Sequence, residues 1–67
     1  MEIFLNNRNE TFAKDALTVT QLLETKRFTF KMIIVKINGK LIKKENYKTA
    51  VINNGDNVNV IHLISGG

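Results

Sequence analysis

Residues 57–65 of the chain read NVNVIHLIS, which is its strongest β-strand pattern, and Gly66-Gly67 follows directly. Successive side chains of a strand point to opposite faces of a sheet, so we expect Val58 and Val60 on one face and Ile61 on the other. Glycine has no Cβ, so a Gly-Gly end can pass through a narrow channel that excludes other residues. The alternative is an ordinary frayed end, since chain termini are commonly disordered. The rest of the sequence must decide between the two.

Two hairpins are predicted before this run. Residues 1–5 read as a strand with alternating apolar positions, and residues 10–13 read as its returning arm after an asparagine-rich turn. Residues 32–37 form a run rich in β-branched side chains, and Asn38-Gly39 follows it. This dipeptide favours a type I′ turn, because both of its residues tolerate positive φ, and residues 40–42 then return as a short strand.

One helix is predicted between the hairpins. Thr18 and Gln21 have the spacing of a capping box, in which each side chain accepts a hydrogen bond from the backbone amide of the other. The helix should therefore begin at Thr18 and end at Lys26 or Arg27. Residues 28–30 are interpreted as a connection that places one or both phenylalanine rings against the core.

The order of these elements predicts an α+β fold. A mixed sheet of four to five strands can bury one face against the single helix, and a right-handed crossover brings the last strand parallel to the first in the middle of the sheet. This topology is a β-grasp. We expect one domain over residues 1–67, with a flexible C-terminal Gly-Gly tail.

Composition excludes several classes of protein. A chain of 67 residues is too small to enclose a substrate pocket beside its core, so a self-contained enzyme is not expected. Cysteine is absent, which excludes disulfides and thiolate metal sites. No cysteine, aspartate or glutamate stands at ligand spacing from His62, which is interpreted as an ordinary strand residue, so no metal site is predicted. Without a membrane-length apolar run or a leader, the expected location is the cytoplasm.

The net charge of +4 raises the possibility of nucleic-acid binding. The basic residues are scattered, however, and aromatic residues do not alternate with them as a stacking surface requires. A small basic nucleic-acid-binding domain is therefore the less favoured reading. A lysine cluster at residues 40–48 is either a solvated face or a patch that steers the protein toward an acidic partner.

Several short motifs, taken together, resemble one family. They are Ile37-Asn38-Gly39, Leu41-Ile42, Asn54-Gly55-Asp56, Val58-x-Val60 and the terminal Gly66-Gly67. At these spacings the chain resembles the sulfur carriers of thiamine biosynthesis, the ThiS family, which are ubiquitin-like β-grasp proteins. It departs from the family pattern at Lys43-Lys44 and at residues 28–32, which affects loop shape and partner contacts and leaves the terminal chemistry untouched.

The resemblance implies a carrier that is not itself an enzyme. The Gly67 carboxylate would be adenylated by an E1-like activating enzyme of the ThiF type, which consumes ATP, and then converted to a thiocarboxylate. Sulfur would come from a donor such as a cysteine desulfurase and pass to a thiazole synthase of the ThiG type. Gly66 and Ser65 would give the tail access to these enzymes. No bound cofactor, nucleic-acid partner or membrane partner is expected.

Two alternatives share the fold. The small subunit of molybdopterin synthase resembles the same template but tends to be longer, and a ubiquitin-like protein modifier would use the same Gly-Gly end.

The sheet face away from the helix is the predicted partner surface. If Val58 and Val60 point toward the helix, strand parity sends their neighbours outward. The residues predicted to face outward and bind partners are Phe4, Ile34, Lys36, Ile61 and Leu63. The four apolar members would form an exposed apolar patch beside the tail, of a kind that commonly marks binding sites.

Overall fold

The computed structural model describes residues 1–29 and 31–63. Within them the chain forms seven strands, one α-helix and one 3₁₀-helix. In chain order these are β1 (Glu2–Leu5), β2 (Arg8–Thr11), β3 (Ala16–Thr18), α1 (Val19–Thr25), β4 (Ile33–Ile37), β5 (Lys40–Ile42), the 3₁₀-helix (Lys44–Asn46), β6 (Val51–Asn53) and β7 (Asn57–His62).

The main sheet has five strands in the order β2-β1-β7-β4-β5. The last strand, β7, therefore lies at the centre, where it pairs parallel with β1 and antiparallel with β4. Both features confirm the predicted topology. A central strand is fixed along both edges by backbone hydrogen bonds, so its direction determines where the following residues leave the sheet.

A second, two-stranded sheet was not predicted. Strands β3 and β6 pair antiparallel, with Leu17 opposite Ile52, and both of these side chains are buried. Each strand has only three residues, which is too short for an alternating pattern to be distinguished from a loop. The pair closes the core beside the helix.

Both predicted hairpins are present, and the first is tighter than expected. Asn6 and Asn7 both have positive φ, 52° and 65°, as a two-residue type I′ turn requires. Leu5 therefore pairs with Arg8, and the returning arm begins at Arg8 instead of Glu10. The sequence indicated a longer loop because asparagine and arginine are common in both settings.

The helix begins as predicted. The Thr18 hydroxyl accepts a hydrogen bond from the Gln21 amide at 3.1 Å, and the Gln21 side chain accepts one from the Thr18 amide at 2.9 Å. The regular helix ends at Thr25, one or two residues before the predicted end at Lys26 or Arg27. Lys26 caps it, and the Lys26 ammonium group contacts Glu10 at 3.1 Å. None of the helices among the described residues has the length and apolar character needed to cross a membrane.

The core lies between the main sheet and the helix. Strand parity is confirmed, because alternate residues of β1 and β7 are buried while their neighbours are exposed or, at Asn59, half-buried. The buried hydrophobic residues of the described chain are Ile3, Leu5, Leu17, Val19, Leu22, Val35, Ile52, Val58 and Val60. Phe28 is half-buried against this core, as predicted, whereas Phe30 lies outside the described residues.

Candidate functional site at the end of the central strand

Strand β7 is held along its whole length. Opposite β4, the register pairs Ile61 with Ile34 and His62 with Ile33. On the other side the Asn6 side chain accepts a hydrogen bond from the Val60 amide at 2.8 Å, where β1 has already turned away. The amide of Leu63 donates to the Met32 carbonyl at 3.0 Å, so the backbone is fixed up to a point four residues before the chain end.

The start of β7 is anchored by two turns that bond to each other. The Asn38 side chain donates to Asp56 at 3.0 Å and accepts from the Asn57 amide at 2.9 Å. The second Asp56 oxygen accepts from the Asn53 amide at 2.8 Å, which closes the turn before β7. The sequence predicted both turns, but only the structure shows that Asn38 and Asp56 join them into one network.

The predicted outer face is exposed where strand parity places it. Phe4 is 50% exposed and Ile61 is 43% exposed, Lys36 is also exposed, and Ile34 is half-buried. Ile34 and Ile61 lie directly opposite each other across β4 and β7. Whether these residues bind a partner remains a prediction.

The register divides the predicted apolar patch. Phe4 lies opposite Asn57, four residues before Ile61 on the same strand, which is a separation of about 13 Å along the sheet. The pair of Lys36 and Asn59 lies between them and is polar. The continuous patch expected from parity is therefore interrupted. Parity defines the face on which a side chain lies, but the register between strands defines its position along the sheet.

Leu41 also belongs to this face and was missed. It lies opposite Lys36 in the β4–β5 hairpin and is 56% exposed. The signal was present in the sequence, because a two-residue turn at Asn38-Gly39 places residues 36 and 41 opposite each other.

Leu63 has a different environment from the other predicted surface residues. It lies one residue past β7, is 40% exposed, and lines a cavity of about 380 Å³ beside the C-terminal end of β7. We call this the tail-base cavity. Its lining residues, several of which lie on the helix side, are Leu23, Phe28, Thr29, Lys31, Met32, Ile33, Lys44, Tyr47 and Leu63.

Tyr47 forms one wall of the tail-base cavity. Its hydroxyl donates to the Ile33 carbonyl at 3.4 Å, and burial raises the pKa of this phenol above its ordinary value of 10.0. The neutral form is therefore favoured in the folded protein.

This shift predicts a pH dependence of stability. The contribution of Tyr47 is complete below about pH 10 and is lost as the pH rises through the folded-state pKa, because the unfolded phenol ionises first. Urea unfolding from about pH 8 to about pH 11 should show a steeper loss of stability for wild type than for Tyr47→Phe. Lysine titration affects both proteins equally. Parallel curves of stability against pH would therefore contradict a raised pKa of Tyr47.

The predicted tail residues, Ser65, Gly66 and Gly67, lie outside the described residues. Residues 1–29 and 31–63 contain no cluster of histidine, aspartate or glutamate that could hold a metal ion. His62 is exposed on β7. What the described structure provides is a rigid base for the chain end.

Comparisons with known proteins agree with this geometry. A model of the ThiS family matches residues 2–67. The chain is 30% identical over 63 residues to the sulfur carrier protein ThiS of Bacillus subtilis (strain 168), covering 94% of this chain and 96% of the relative.

Solved structures show the same fold. The crystal structure of the thiamine biosynthesis protein ThiS from Geobacter metallireducens superposes with a TM-score of 0.89 at 25% identity and full coverage of both chains. A solution structure of a thiamine biosynthesis protein from that organism gives a TM-score of 0.81 at 25% identity, covering 100% of this chain and 88% of the other. The predicted β-grasp fold is confirmed. This chain therefore belongs to the ThiS family, whose relative in B. subtilis is named a sulfur carrier protein.

Proposed function

We propose that this protein carries sulfur as a thiocarboxylate on Gly67 and delivers it for thiazole formation in thiamine biosynthesis. The observation that supports the proposal best is the backbone ladder of β7. It runs to Leu63, the last residue that the structure describes, in the centre of the sheet of a ThiS-family chain whose sequence ends in Gly66-Gly67. A rigid base with a slender end suits a carrier whose terminus must enter the active sites of other proteins.

The chemistry requires activation first. A carboxylate is a poor electrophile, because its charge and resonance disfavour attack by a nucleophile. One Gly67 oxygen attacks the α-phosphorus of ATP and pyrophosphate leaves, which gives an acyl-adenylate. Sulfide then attacks the acyl carbon and AMP leaves. If the donor is a persulfide, as on a cysteine desulfurase, its attack gives an acyl disulfide, and a thiol must reduce the S–S bond to release the thiocarboxylate. The resulting thiocarboxylate is anionic and polarizable, so it can attack a carbonyl or imine carbon.

The catalytic groups for these steps belong to partner proteins. An adenylating enzyme of the ThiF type would bind ATP and activate Gly67, and a thiazole synthase of the ThiG type would receive the sulfur. The carrier acts as their co-substrate in the cytoplasm and contributes its chain end and its docking surfaces. Exposed outer-face residues, Ile61 foremost, are the first candidates for docking.

Intact-protein mass spectrometry tests the proposal. Carrier incubated with ATP, its host's adenylating enzyme and sulfide should gain the mass that corresponds to replacing one oxygen by sulfur, and omission of ATP should prevent the gain. An isopeptide adduct on other proteins would instead indicate a ubiquitin-like modifier. Sulfur transfer to a molybdopterin precursor would indicate the molybdopterin-synthase role, and no change in any of these assays would reject the carrier.

Gly66→Val should block loading more than it disturbs folding. A β-branched side chain is bulky and restricted in χ1, so it would obstruct a channel that admits bare backbone. We expect the rate of ATP–pyrophosphate exchange by the adenylating enzyme to fall at least about tenfold, which corresponds to a loss of about 1.4 kcal/mol of transition-state stabilisation. The melting temperature should not change. Near-normal exchange would show that the enzyme has no such channel.

A further inference from the structure

The net charge of the protein is concentrated in one segment. Residues 31–48 contain six lysines and one glutamate, whereas the rest of the chain contains four basic and five acidic residues. The segment forms β4, β5 and the 3₁₀-helix. Strands β4 and β5 lie together on one side of the main sheet, and Tyr47, directly after the 3₁₀-helix, bonds to the Ile33 carbonyl of β4. The chain is therefore strongly basic on this side and slightly acidic elsewhere. Such asymmetry orients a protein as it approaches a charged partner.

The tail-base cavity opens on this basic side. Lys31 and Lys44 line it, both exposed, and the described lining includes no acidic residue. Its remaining lining is largely apolar, and two of these residues, Met32 at 52% and Leu63 at 40%, are among the most exposed large hydrophobic residues of the described chain. The tail-base cavity, which is largely apolar and lies beside two ammonium groups, is complementary to an apolar side chain flanked by carboxylates.

The position of the cavity gives it a functional meaning. The Met32 carbonyl accepts a hydrogen bond from the amide of Leu63, which is the last residue that the structure describes. A partner bound here would contact the carrier at Leu63, four residues before Gly67, and would thereby limit the positions available to Gly67. Restricting the motion of a reacting group before the chemical step is a general source of catalytic efficiency.

We propose that the tail-base cavity is a docking site for the activating enzyme, which inserts one apolar side chain from an acidic segment and pairs its carboxylates with Lys31 and Lys44. The inference rests on the proposed function and adds a second contact surface on the helix side of the sheet. Desolvated apolar anchors contribute most to the lifetime of such complexes, whereas exposed charges mainly set the association rate.

Two matched pairs of variants test this site by binding kinetics with the host's adenylating enzyme. Met32→Asp places a negative charge at the cavity, and Val51→Asp makes the same kind of change at a residue that is 48% exposed on β6. Lys31→Glu/Lys44→Glu reverses the two cavity lysines, and Arg8→Glu/Lys14→Glu gives the same change in net charge at exposed residues outside the basic segment.

We expect each cavity variant to raise Kd about tenfold or more, and each control to change it by less than about threefold. The Lys31→Glu/Lys44→Glu protein should lose affinity mainly through a slower association rate, with a weaker dependence on salt. Thermal melts of all four variants establish whether they fold. If Met32→Asp does not fold, the Lys31→Glu/Lys44→Glu protein still tests the site.

Different outcomes separate the inference from the function. If wild type is loaded with sulfur and the cavity variants bind like their controls, the docking site is wrong and the carrier function stands. If wild type is never adenylated, both proposals fail. If sedimentation shows a dimer of the carrier that Met32→Asp abolishes, the cavity binds a second copy of the chain and the activating-enzyme assignment is overturned.

Discussion

Deletion of Gly67 is expected to abolish activation while leaving the fold nearly unchanged. The truncated chain still ends in a carboxylate on Gly66, but that carboxylate falls short by one residue, or about 3.5 Å of extended chain. The rate of ATP–pyrophosphate exchange should drop to the level measured without carrier. The buried core residues of the described chain all lie between Ile3 and Val60, so the loss of residue 67 removes none of them.

The stability of the truncated protein provides the control for this experiment. Urea unfolding should give a free energy within about 0.5 kcal/mol of wild type, as for a surface change that removes no core contact. Adenylation of the truncated protein at a rate comparable to wild type would refute the role assigned to Gly67. A large loss of stability would show instead that the last residue packs on the domain.

Val60→Asp is expected to unfold the domain, whereas Ile61→Asp should leave it folded. Val60 is 7% exposed within the core, so aspartate at this position buries an unpaired charge and costs at least about 4 kcal/mol. A domain of this length has a total stability of only roughly 3–10 kcal/mol. Ile61 is 43% exposed on the outer face, so its replacement costs about 1 kcal/mol, mainly through the lost cross-strand contact with Ile34.

Val60 and Ile61 are adjacent on β7 and both have β-branched side chains, so a difference between the two variants reports on the face of the sheet and not on strand position or residue type. Circular dichroism and urea unfolding measure stability, and binding to the adenylating enzyme measures recognition. Ile61→Asp should weaken that binding with little loss of fold. If Ile61→Asp is the more destabilising change, the assignment of the two faces is inverted. If it folds and binds normally, the outer face does not contribute, and recognition rests on the tail, the lysines and the tail-base cavity.

Local signals predicted several elements correctly. The hydroxyl of Thr18 and the amide of Gln21 are three residues apart, so a capping box follows from the sequence alone, and it is present. Asn38-Gly39 has few conformations compatible with a tight hairpin, and both of its residues adopt positive φ. The alternation of residues 57–62 determined which side chains of β7 are buried, because strand geometry fixes that relation whatever the neighbours are.

The features that required the tertiary structure all depend on contacts between distant residues. The β3–β6 pair joins Leu17 to Ile52, and neither three-residue strand has a signal strong enough to be recognised by itself. The distance along the sheet between Phe4 and Ile61 depends on the register between β1 and β7. No short sequence motif determines that register.

The Gly66-Gly67 end and the tail-base cavity differ in the same way. The sequence by itself determined the Gly66-Gly67 end, the β-grasp order of elements and the faces of the central strand, since these follow from residue type and short spacings. Only the folded chain brings Leu23, Met32, Lys44 and Leu63 around one cavity. A cavity is a property of packed surfaces, and residues separated by up to forty positions come together there because the sheet and the helix bury a shared core.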